Sequence, residues 1–177
     1  MERQALSEWL RSYQSKFSDE QQFVVPFVDL LQHPSCYQRT HLPGHMTGSA
    51  WIVNSDRDKT LLVHHAKLNR WMQPGGHADG DENILNVTLK EAREETGLIN
   101  FQFLPIVFDI DIHPIPSRPD FPEHLHYDVR FLLVADEADQ VEVSEESHDV
   151  QWILLSELEK YTDQRSVLRM KYKTLHG

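Results

Sequence analysis

The sequence is poor in cysteine and contains no long apolar run. Cys36 is the one cysteine among 177 residues, so no internal disulfide can form, and no Cys/His arrangement near it indicates a nucleophile. A chain without disulfides fits a reducing compartment, and we expect a cytoplasmic protein. The N-terminus carries charges at Glu2, Arg3 and Glu8, so we expect neither a signal peptide nor a membrane span.

Basic residues are scarce as well. Lysine and arginine number 17 against 28 aspartates and glutamates, which gives a formal net charge of −11. Surfaces that bind nucleic-acid polymers need clustered lysine and arginine, so the composition argues against such a partner. Any phosphate-binding site in this chain would need cations to neutralise it. Hydrophobic residues make up 40% of the chain, which is ordinary for one globular unit.

Two helices are predicted at the N-terminal end. The apolar residues that follow a helical spacing there are Leu6, Trp9, Leu10, Tyr13 and Phe17. They predict an amphipathic helix over residues 3–17. Ser18 and Gln21 have the spacing of a capping box for a second helix over residues 19–32, in which Pro26 would introduce a kink.

The chain is expected to divide near residue 38. Residues 1–38 would form a helical hairpin and residues 39–177 the main domain, within a single globular unit. The apolar faces of the hairpin need a partner. That partner is either the main domain or a second copy of the chain in a homodimer, and the hairpin could alternatively cover a substrate.

The main domain alternates strands with helices. The segments with strand-like patterns are residues 49–54, 60–64, 71–73, 101–111, 127–135 and 151–154. The first two form a hairpin around a turn at residues 55–58. Ser156 is expected to cap a last helix that begins at Glu157. This order predicts an α/β fold, a sandwich with helices around a mixed sheet.

Three glutamates share one face of a helix predicted after residue 81. Glu91, Glu94 and Glu95 are spaced i, i+3 and i+4, so their side chains lie together. Such a face is either solvated or holds a cation, and oxygen ligands suit Mg²⁺. Asp81 is the predicted N-cap and Gly97 the left-handed residue that ends the helix.

The segment before this helix is a glycine loop. Gln73-Pro74-Gly75-Gly76 permits tight backbone geometry close to a ligand. Lys90 stands four residues before Glu94 and can pair with it. Strand, glycine loop, carboxylate-bearing helix and terminal glycine together form a motif in fixed register.

Residues 76–98 resemble the signature of the Nudix hydrolases. The positions that match are Gly76, Glu82, Glu91, Ala92, Glu94, Glu95, Gly97 and Leu98. The resemblance implies an α-β-α sandwich. It also implies hydrolysis of the diphosphate linkage in a nucleoside diphosphate joined to another moiety, such as a nucleoside triphosphate or a nucleotide sugar. The substrate would be a small nucleotide or nucleotide derivative.

The resemblance further implies roles for single residues. Glu91, Glu94 and Glu95, with the carbonyl of Gly76, would bind Mg²⁺ or Mn²⁺. The residues expected to have structural roles are Gly75, Glu82, Lys90 and Gly97. Lys90 departs from the family, which has arginine there, and a lysine lacks the bidentate fork that would orient the glutamates. The general base is either a signature glutamate or a downstream one, with Glu145 and Glu146 the preferred candidates and Glu123 a further one.

A segment rich in histidine and proline precedes the strand at residues 127–135. Four prolines keep residues 113–126 extended, so a stiff active-site loop is expected there. The substrate-binding candidates are His77, His124, His126, Asp128 and Arg130. Arg130 and the histidines could grip phosphate oxygens. The lesser alternative is a second, histidine-bound metal such as Zn²⁺, held by His124 and His126 with His113 or His77. A hydrogen-bonded cluster without metal is the third option.

Other features leave the function partly open. His41, His45, His64, His65 and His148 are expected to be ordinary surface or core histidines. One alternative function is a nucleotide-binding regulatory module with weak catalysis, for which Lys90 leaves room. Another is an isomerase of isoprenyl diphosphates, which would need a metal cage of histidine and glutamate.

Overall fold

A seven-stranded sheet lies between helices in the computed structural model, which describes residues 1–177. The α-helices are α1 (Arg3–Ser12), α2 (Ser18–Gln21), α3 (Val24–Leu30), α4 (Ile84–Thr96) and α5 (Arg165–His176), with a 3-10 helix at Leu155–Lys160. The strands are β1 (Gly44–Val53), β2 (Lys59–His65), β3 (Arg70–Met72), β4 (Gly75–His77), β5 (Gln102–Ile115), β6 (His124–Val134) and β7 (Ser147–Leu154). The predicted α/β sandwich is confirmed.

The sheet is mixed, as predicted. Its main order is β3-β2-β1-β6-β5, while β4 pairs with β1 and β7 pairs with β2. β1 and β6 are parallel in a continuous register that runs from Gly44 opposite Leu125 to Val53 opposite Val134. All other strand pairs are antiparallel.

Alternation along β1 sends side chains into two cores. Met46, Ala50 and Ile52 are buried on the face that α4 covers, together with the apolar residues of α1 and α3. Trp51 and Val53 are buried on the opposite face with the 3-10 helix and α5. Because side chains alternate in a strand, one buried strand supplies both layers.

The N-terminal helices are shorter than predicted. The helix expected over residues 3–17 ends at Ser12, and the chain then turns, with the hydroxyl of Ser15 accepting from the Phe17 amide. The helix expected over residues 19–32 is two helices, α2 and α3. The expected cap at Ser18 is wrong, since Ser18 already lies within α2. Pro26 lies in the first turn of α3, where its missing N–H is not needed.

The C-terminal part also differs from expectation. The predicted helix after Ser156 is the 3-10 helix, and the sequence pattern missed α5. β1 begins at Gly44, five residues before the predicted start, and β5 and β6 extend into the proline-rich segment to form a long hairpin. The longest helix has 13 residues, and none combines the length and hydropathy of a bilayer-crossing segment.

A buried ion network joins α5 to the sheet. Arg130 on β6 is 2% exposed and donates to Asp128 at 2.7 Å and to Asp109 and Asp111 at 3.2 Å each. Arg169 on α5 donates to both carboxylate oxygens of Asp109 at 2.8 Å. Burial opposes ionisation of Asp109, but the hydrogen bonds from Arg169 and the charge of Arg130 hold the pKa of Asp109 below its ordinary value.

Lys173 extends this network to the N-terminal segment. Its ammonium contacts Asp109 at 2.9 Å and Glu20 at 2.6 Å. Glu20 is fully buried and also accepts a hydrogen bond from the amide of Ile110 at 3.1 Å. The network therefore fixes α2, β5 and α5 relative to one another.

Replacing Arg169 tests the weight of this network. Arg169→Leu leaves Asp109 buried with one fewer cation, so we expect the free energy of unfolding to fall by about 3 kcal/mol. Lys171→Ala, on the same helix, removes an ion pair with the exposed Glu159 and should change stability by less than about 1 kcal/mol. Guanidinium unfolding at pH 7 measures both. Equal effects would show that the network does not hold α5.

Candidate active site

Helix α4 begins and ends at residues suited to its termini. The N-cap is Asn83, whose side chain accepts a hydrogen bond from the Asn86 amide. The prediction of Asp81 as N-cap is wrong: its carboxylate instead accepts from the Asn83 amide at 2.8 Å and shapes the preceding turn. Gly97 ends the helix with φ of 73°, which confirms the predicted left-handed C-terminal residue.

The glycine loop lies directly against two of the glutamates. A Cβ added to Gly76 would lie 2.5 Å from the carboxylate carbon of Glu91, so only glycine lets that carboxylate occupy its position. The Gly75 amide donates to Oε1 of Glu95 at 2.7 Å. β4 pairs with β1, with Gly76 opposite Gly48, so the sheet fixes the loop that meets the helix.

The two inner glutamates are held in an environment that disfavours their charge. Burial raises the pKa of Glu95 to about 8, and the negative charges of Glu91 and Glu146 add to the effect. Burial also raises the pKa of Glu91, although Lys90 opposes the shift. No lysine or arginine forms an ion pair with Glu95 within the chain. The site thus brings several carboxylates together, and the lysine and arginine side chains of the protein compensate their charge only in part.

Lys90 contacts Glu91 and Glu94. Its ammonium lies 3.3 Å from Glu91 and 3.4 Å from Glu94, which confirms the predicted pairing with Glu94. The Glu94 side chain is 57% exposed. Glu82 lies away from the trio and pairs with Arg3 on α1 at 2.7 Å, so its contact is one between the loop and the N-terminal helix.

The donor set of Glu91, Glu94 and Glu95 fits a hard divalent cation. Carboxylate oxygens are the ligands that Mg²⁺ and Mn²⁺ prefer. Burial and neighbouring carboxylates raise the pKa of Glu91 and Glu95, and a bound cation would oppose that shift. Glu146, in the turn before β7, is close enough for its charge to act on both residues. Glu145 is its exposed neighbour in the same turn, and its role stays a prediction.

Arg130 and Asp128 do not face a substrate. Both side chains are 2% exposed; Arg130 lies among three aspartates, and Asp128 accepts hydrogen bonds from Thr47 and Ser49 at 3.0 and 2.7 Å. The expectation that these residues bind substrate is corrected to a structural role in the buried network. The alternation along β6 indicated that Asp128 and Arg130 share a face, but it could not indicate that this face is buried.

Four histidines converge on the same sheet face, beside the glycine loop. His45 on β1 is opposite His126 on β6, His124 lies two residues before His126, and His77 ends β4. One ring nitrogen from each histidine lies within 4.8 Å of a ring nitrogen of each of the others. No other group of three or more histidine, cysteine or acidic side chains brings its ligand atoms this close together. The glutamates of α4 do not belong to such a group.

Burial keeps most of these imidazoles neutral. It lowers the pKa of His77 to about 4 and that of His126 to about 2, in both cases with further contributions from neighbouring cationic or histidine side chains. Burial likewise lowers the pKa of His45. His113, a candidate for this cluster, lies outside the four and contacts Asp111 at 3.1 Å.

His45 was missed as a member of the site. The sequence pattern begins β1 at Ser49, so it does not extend to the alternation that places His45 on the same face as Thr47 and Ser49. A strand start at Gly44 would have supplied the signal. His77, His124 and His126 were named as candidates, and the structure brings all three together.

Comparison with known proteins identifies the family. The NUDIX domain family model matches residues 45–171. The chain belongs to this family. The matched residues contain the glycine loop, α4 and the histidine cluster, while α1–α3 precede them.

Named relatives of this Nudix protein are hydrolases. A probable DHNTP pyrophosphohydrolase of Lactococcus lactis subsp. cremoris (strain MG1363) is 25% identical over 122 residues, which cover 68% of this chain and 73% of the relative. The m7GpppN-mRNA hydrolase NUDT17 of Bos taurus is 29% identical over 128 residues, 65% of this chain but only 42% of the bovine protein. The chain therefore spans less than half of that second relative.

The fold has close counterparts among solved structures. A Caenorhabditis elegans Ap4A hydrolase in a binary complex superposes with a TM-score of 0.60 at 16% identity, covering 72% of this chain and 93% of the worm protein. This likeness confirms the Nudix fold. The expectation of a Nudix-type pyrophosphohydrolase is confirmed at the level of the family.

The half-buried carboxylate of Glu95 predicts a pH dependence of stability in metal-free protein. Its folded pKa of about 8 lies above the ordinary value of 4.5, so between these pH values the folded state holds a proton that the unfolded state releases. Stability from this group is full below pH 4.5 and is lost as pH rises toward 8.

Glu95→Gln should remove that loss. In chelator, we expect the variant to gain stability over the wild type as pH rises from 5 to 8, by at least about 1 kcal/mol, since one pKa unit corresponds to about 1.4 kcal/mol. Urea unfolding at four pH values measures the difference. Glu94→Gln is the control, because the exposed Glu94 side chain remains solvated. A difference independent of pH would contradict the assignment.

Proposed function

We propose that this chain is a divalent-metal-dependent hydrolase that cleaves the diphosphate linkage of a nucleoside diphosphate joined to another moiety. The observation that supports it most directly is the pair of half-buried carboxylates, Glu91 and Glu95, packed against Gly75 and Gly76 with too little positive charge around them. A site of this kind is complementary to a cation that also holds an anionic substrate.

The cation would be Mg²⁺ or Mn²⁺, held by Glu91, Glu94 and Glu95 with the Gly76 carbonyl. When bound, it would neutralise charge on the diphosphate oxygens and assist the attack of water. The chain's own residues would prepare this geometry. The Gly75 amide fixes one oxygen of Glu95, and Lys90 draws Glu91 and Glu94 toward each other.

Glu146 is our preferred candidate for the general base. Its charge acts on both Glu91 and Glu95, so it stands near the carboxylates that would bind the cation. A base must reach the proton of the attacking water within hydrogen-bond distance. Glu145 is retained as its alternative, since it is adjacent in the same exposed turn.

The substrate is proposed only as a class. Nucleoside triphosphates and nucleotide sugars contain the diphosphate linkage, and the two sequence relatives are named for DHNTP and for m7GpppN-mRNA. An excess of acidic residues disfavours long nucleic acids, so a small nucleotide derivative is the proposed substrate. A cage of histidine with glutamate, which an isoprenyl-diphosphate isomerase would need, is not formed, since the converging set contains histidines alone.

A substrate panel tests the proposal. Purified protein with Mg²⁺ or Mn²⁺ should release phosphate or a nucleoside monophosphate from at least one of the nucleoside triphosphates, nucleotide sugars, DHNTP or cap dinucleotides. Glu95→Gln should lower kcat/KM more than about 100-fold while staying folded, since even changes behind a metal ligand cost about 10–100-fold. Glu8→Gln, on the exposed face of α1, is the matched control.

Two outcomes would each overturn a part of this proposal. Activity retained in Glu95→Gln would contradict the assigned metal site. If no compound turns over, yet nucleotides raise the melting temperature, the chain is a binding or regulatory module.

Lys90 provides a separate test of how the carboxylates are oriented. Lys90→Met removes the charge between Glu91 and Glu94, and we expect kcat to fall by about 10–100-fold. Lys90→Arg restores the charge with a planar fork and should keep at least the wild-type kcat. Steady-state kinetics at several Mg²⁺ concentrations separates a loss of metal affinity from a loss of rate. Equal kcat in Lys90→Met and wild type would show that Lys90 is a surface residue only.

A further inference from the structure

We propose that His45, His77, His124 and His126 form a second metal site, which takes one transition-metal ion of the Zn²⁺ class. The site is distinct in chemistry from the carboxylates of α4, since all four donors are imidazole nitrogens. Imidazole is a preferred ligand of Zn²⁺, whereas Mg²⁺ takes oxygen. The proposal stands on three observations.

The first observation is the size of the cluster. Zn²⁺–nitrogen bonds of 2.0–2.1 Å in a tetrahedron separate neighbouring ligand atoms by about 3.3–3.4 Å. Nε2 of His124 and Nε2 of His126 are 3.3 Å apart, the separation of two ligands on one ion. The four ligand atoms span no more than 4.8 Å, so small rotations bring the remaining rings to that spacing.

The second observation is the orientation of two rings. Nδ1 of His45 faces the His41 carbonyl at 3.2 Å, and Nδ1 of His124 faces the Pro122 carbonyl at 2.9 Å. A carbonyl oxygen only accepts, so both Nδ1 atoms carry hydrogen and donate. In the neutral ring the Nε2 atom then presents a lone pair to the interior of the cluster. Backbone carbonyls that fix a histidine in this way are usual behind metal ligands.

The third observation is an unpartnered nitrogen. His45 is 1% exposed, and its Nε2 has no hydrogen-bond partner. In a metal-free cluster, His126 can donate to His124, but this leaves the lone pair of His45 buried without a donor. A buried polar atom without a partner is unfavourable. A cation at the centre of the four rings satisfies it.

The position of His77 links this ion to the loop at the candidate active site. His77 follows Gly76 directly and ends β4, which pairs with β1. An ion held by His77 together with rings from β1 and β6 would tie the glycine loop to both central strands. Four protein ligands close a tetrahedral site, which is the pattern of a structural ion.

Metal analysis of tag-free protein tests the proposal. The wild type, stripped with chelator and titrated, should bind one equivalent of Zn²⁺, and Co²⁺ in its place should give the intense visible bands of a tetrahedral nitrogen site. Zn²⁺ should also raise the melting temperature, because it binds the folded state. These measurements do not depend on any variant. Absence of a saturating equivalent, or of the Co²⁺ bands, would overturn the site.

Matched variants localise the ion. His45→Gln should weaken Zn²⁺ binding at least about tenfold, because even changes behind a ligand cost that much. His113→Gln is the control, since its ring lies 5.5 Å from that of His126 but outside the four; equal loss in both variants would refute the assignment. Glu95→Gln should keep the Zn²⁺ equivalent, so failure of the hydrolase proposal and failure of this one are separable. Circular dichroism verifies that each variant is folded.

Discussion

The parallel pairing of β1 with β6 is the constraint on which the rest of the structure depends. Its register sets His45 beside His126, Thr47 beside Asp128 and Ser49 beside Arg130 on one face. The intervening residues, such as Gly48 and Ala50, turn to the other face and meet α4. A slip by one residue would exchange the two faces. It would turn the apolar layer toward α5, place the residues of the ion network against α4 and separate the histidines. Each polar residue of β1 on this face has a specific partner on β6, so the register of the two strands is strongly determined.

Two carboxylates away from solvent, Asp109 and Glu95, have different electrostatic environments. On the sheet, Asp109 lies between Arg130, Arg169 and Lys173, and its pKa is lowered, so the charge is compensated within the chain. On α4, Glu95 is half-buried and receives one backbone hydrogen bond but no ion pair, and its pKa rises to about 8. The ionised carboxylate of Asp109 is therefore stabilised by neighbouring cations of the chain, whereas that of Glu95 has no such cation. That contrast supports placing the chemistry at α4 rather than on the sheet.

The sequence predicted what is local and missed what depends on tertiary contacts. The glycine loop, the glutamate face and the end of α4 at Gly97 follow from spacing and backbone preference within residues 73–97. Local pattern also indicated six of the seven strands, but not where each begins and ends. The role of Arg130 was wrong because alternation gives a face but not its burial, which is set by Arg169 on a helix that the pattern did not indicate. His45 was missed because the start of β1 is fixed by pairing with β6, not by the composition of residues 44–48. The N-terminal helices were too long because apolar spacing does not show where polar residues such as Ser15 bend the chain.

The glycine loop is where two sets of ligands of different hardness meet. Gly76 offers a carbonyl and contacts Glu91, while the next residue, His77, turns its ring into the histidine cluster. Oxygen ligands on one side suit Mg²⁺ and nitrogen ligands on the other suit Zn²⁺, so we expect the histidine set to bind Mg²⁺ poorly. A transition metal that displaced Mg²⁺ from the glutamates would also meet a better nitrogen site beside them. If both proposed ions bind, the donor atoms would decide which ion takes which site, because a single peptide unit separates the two environments.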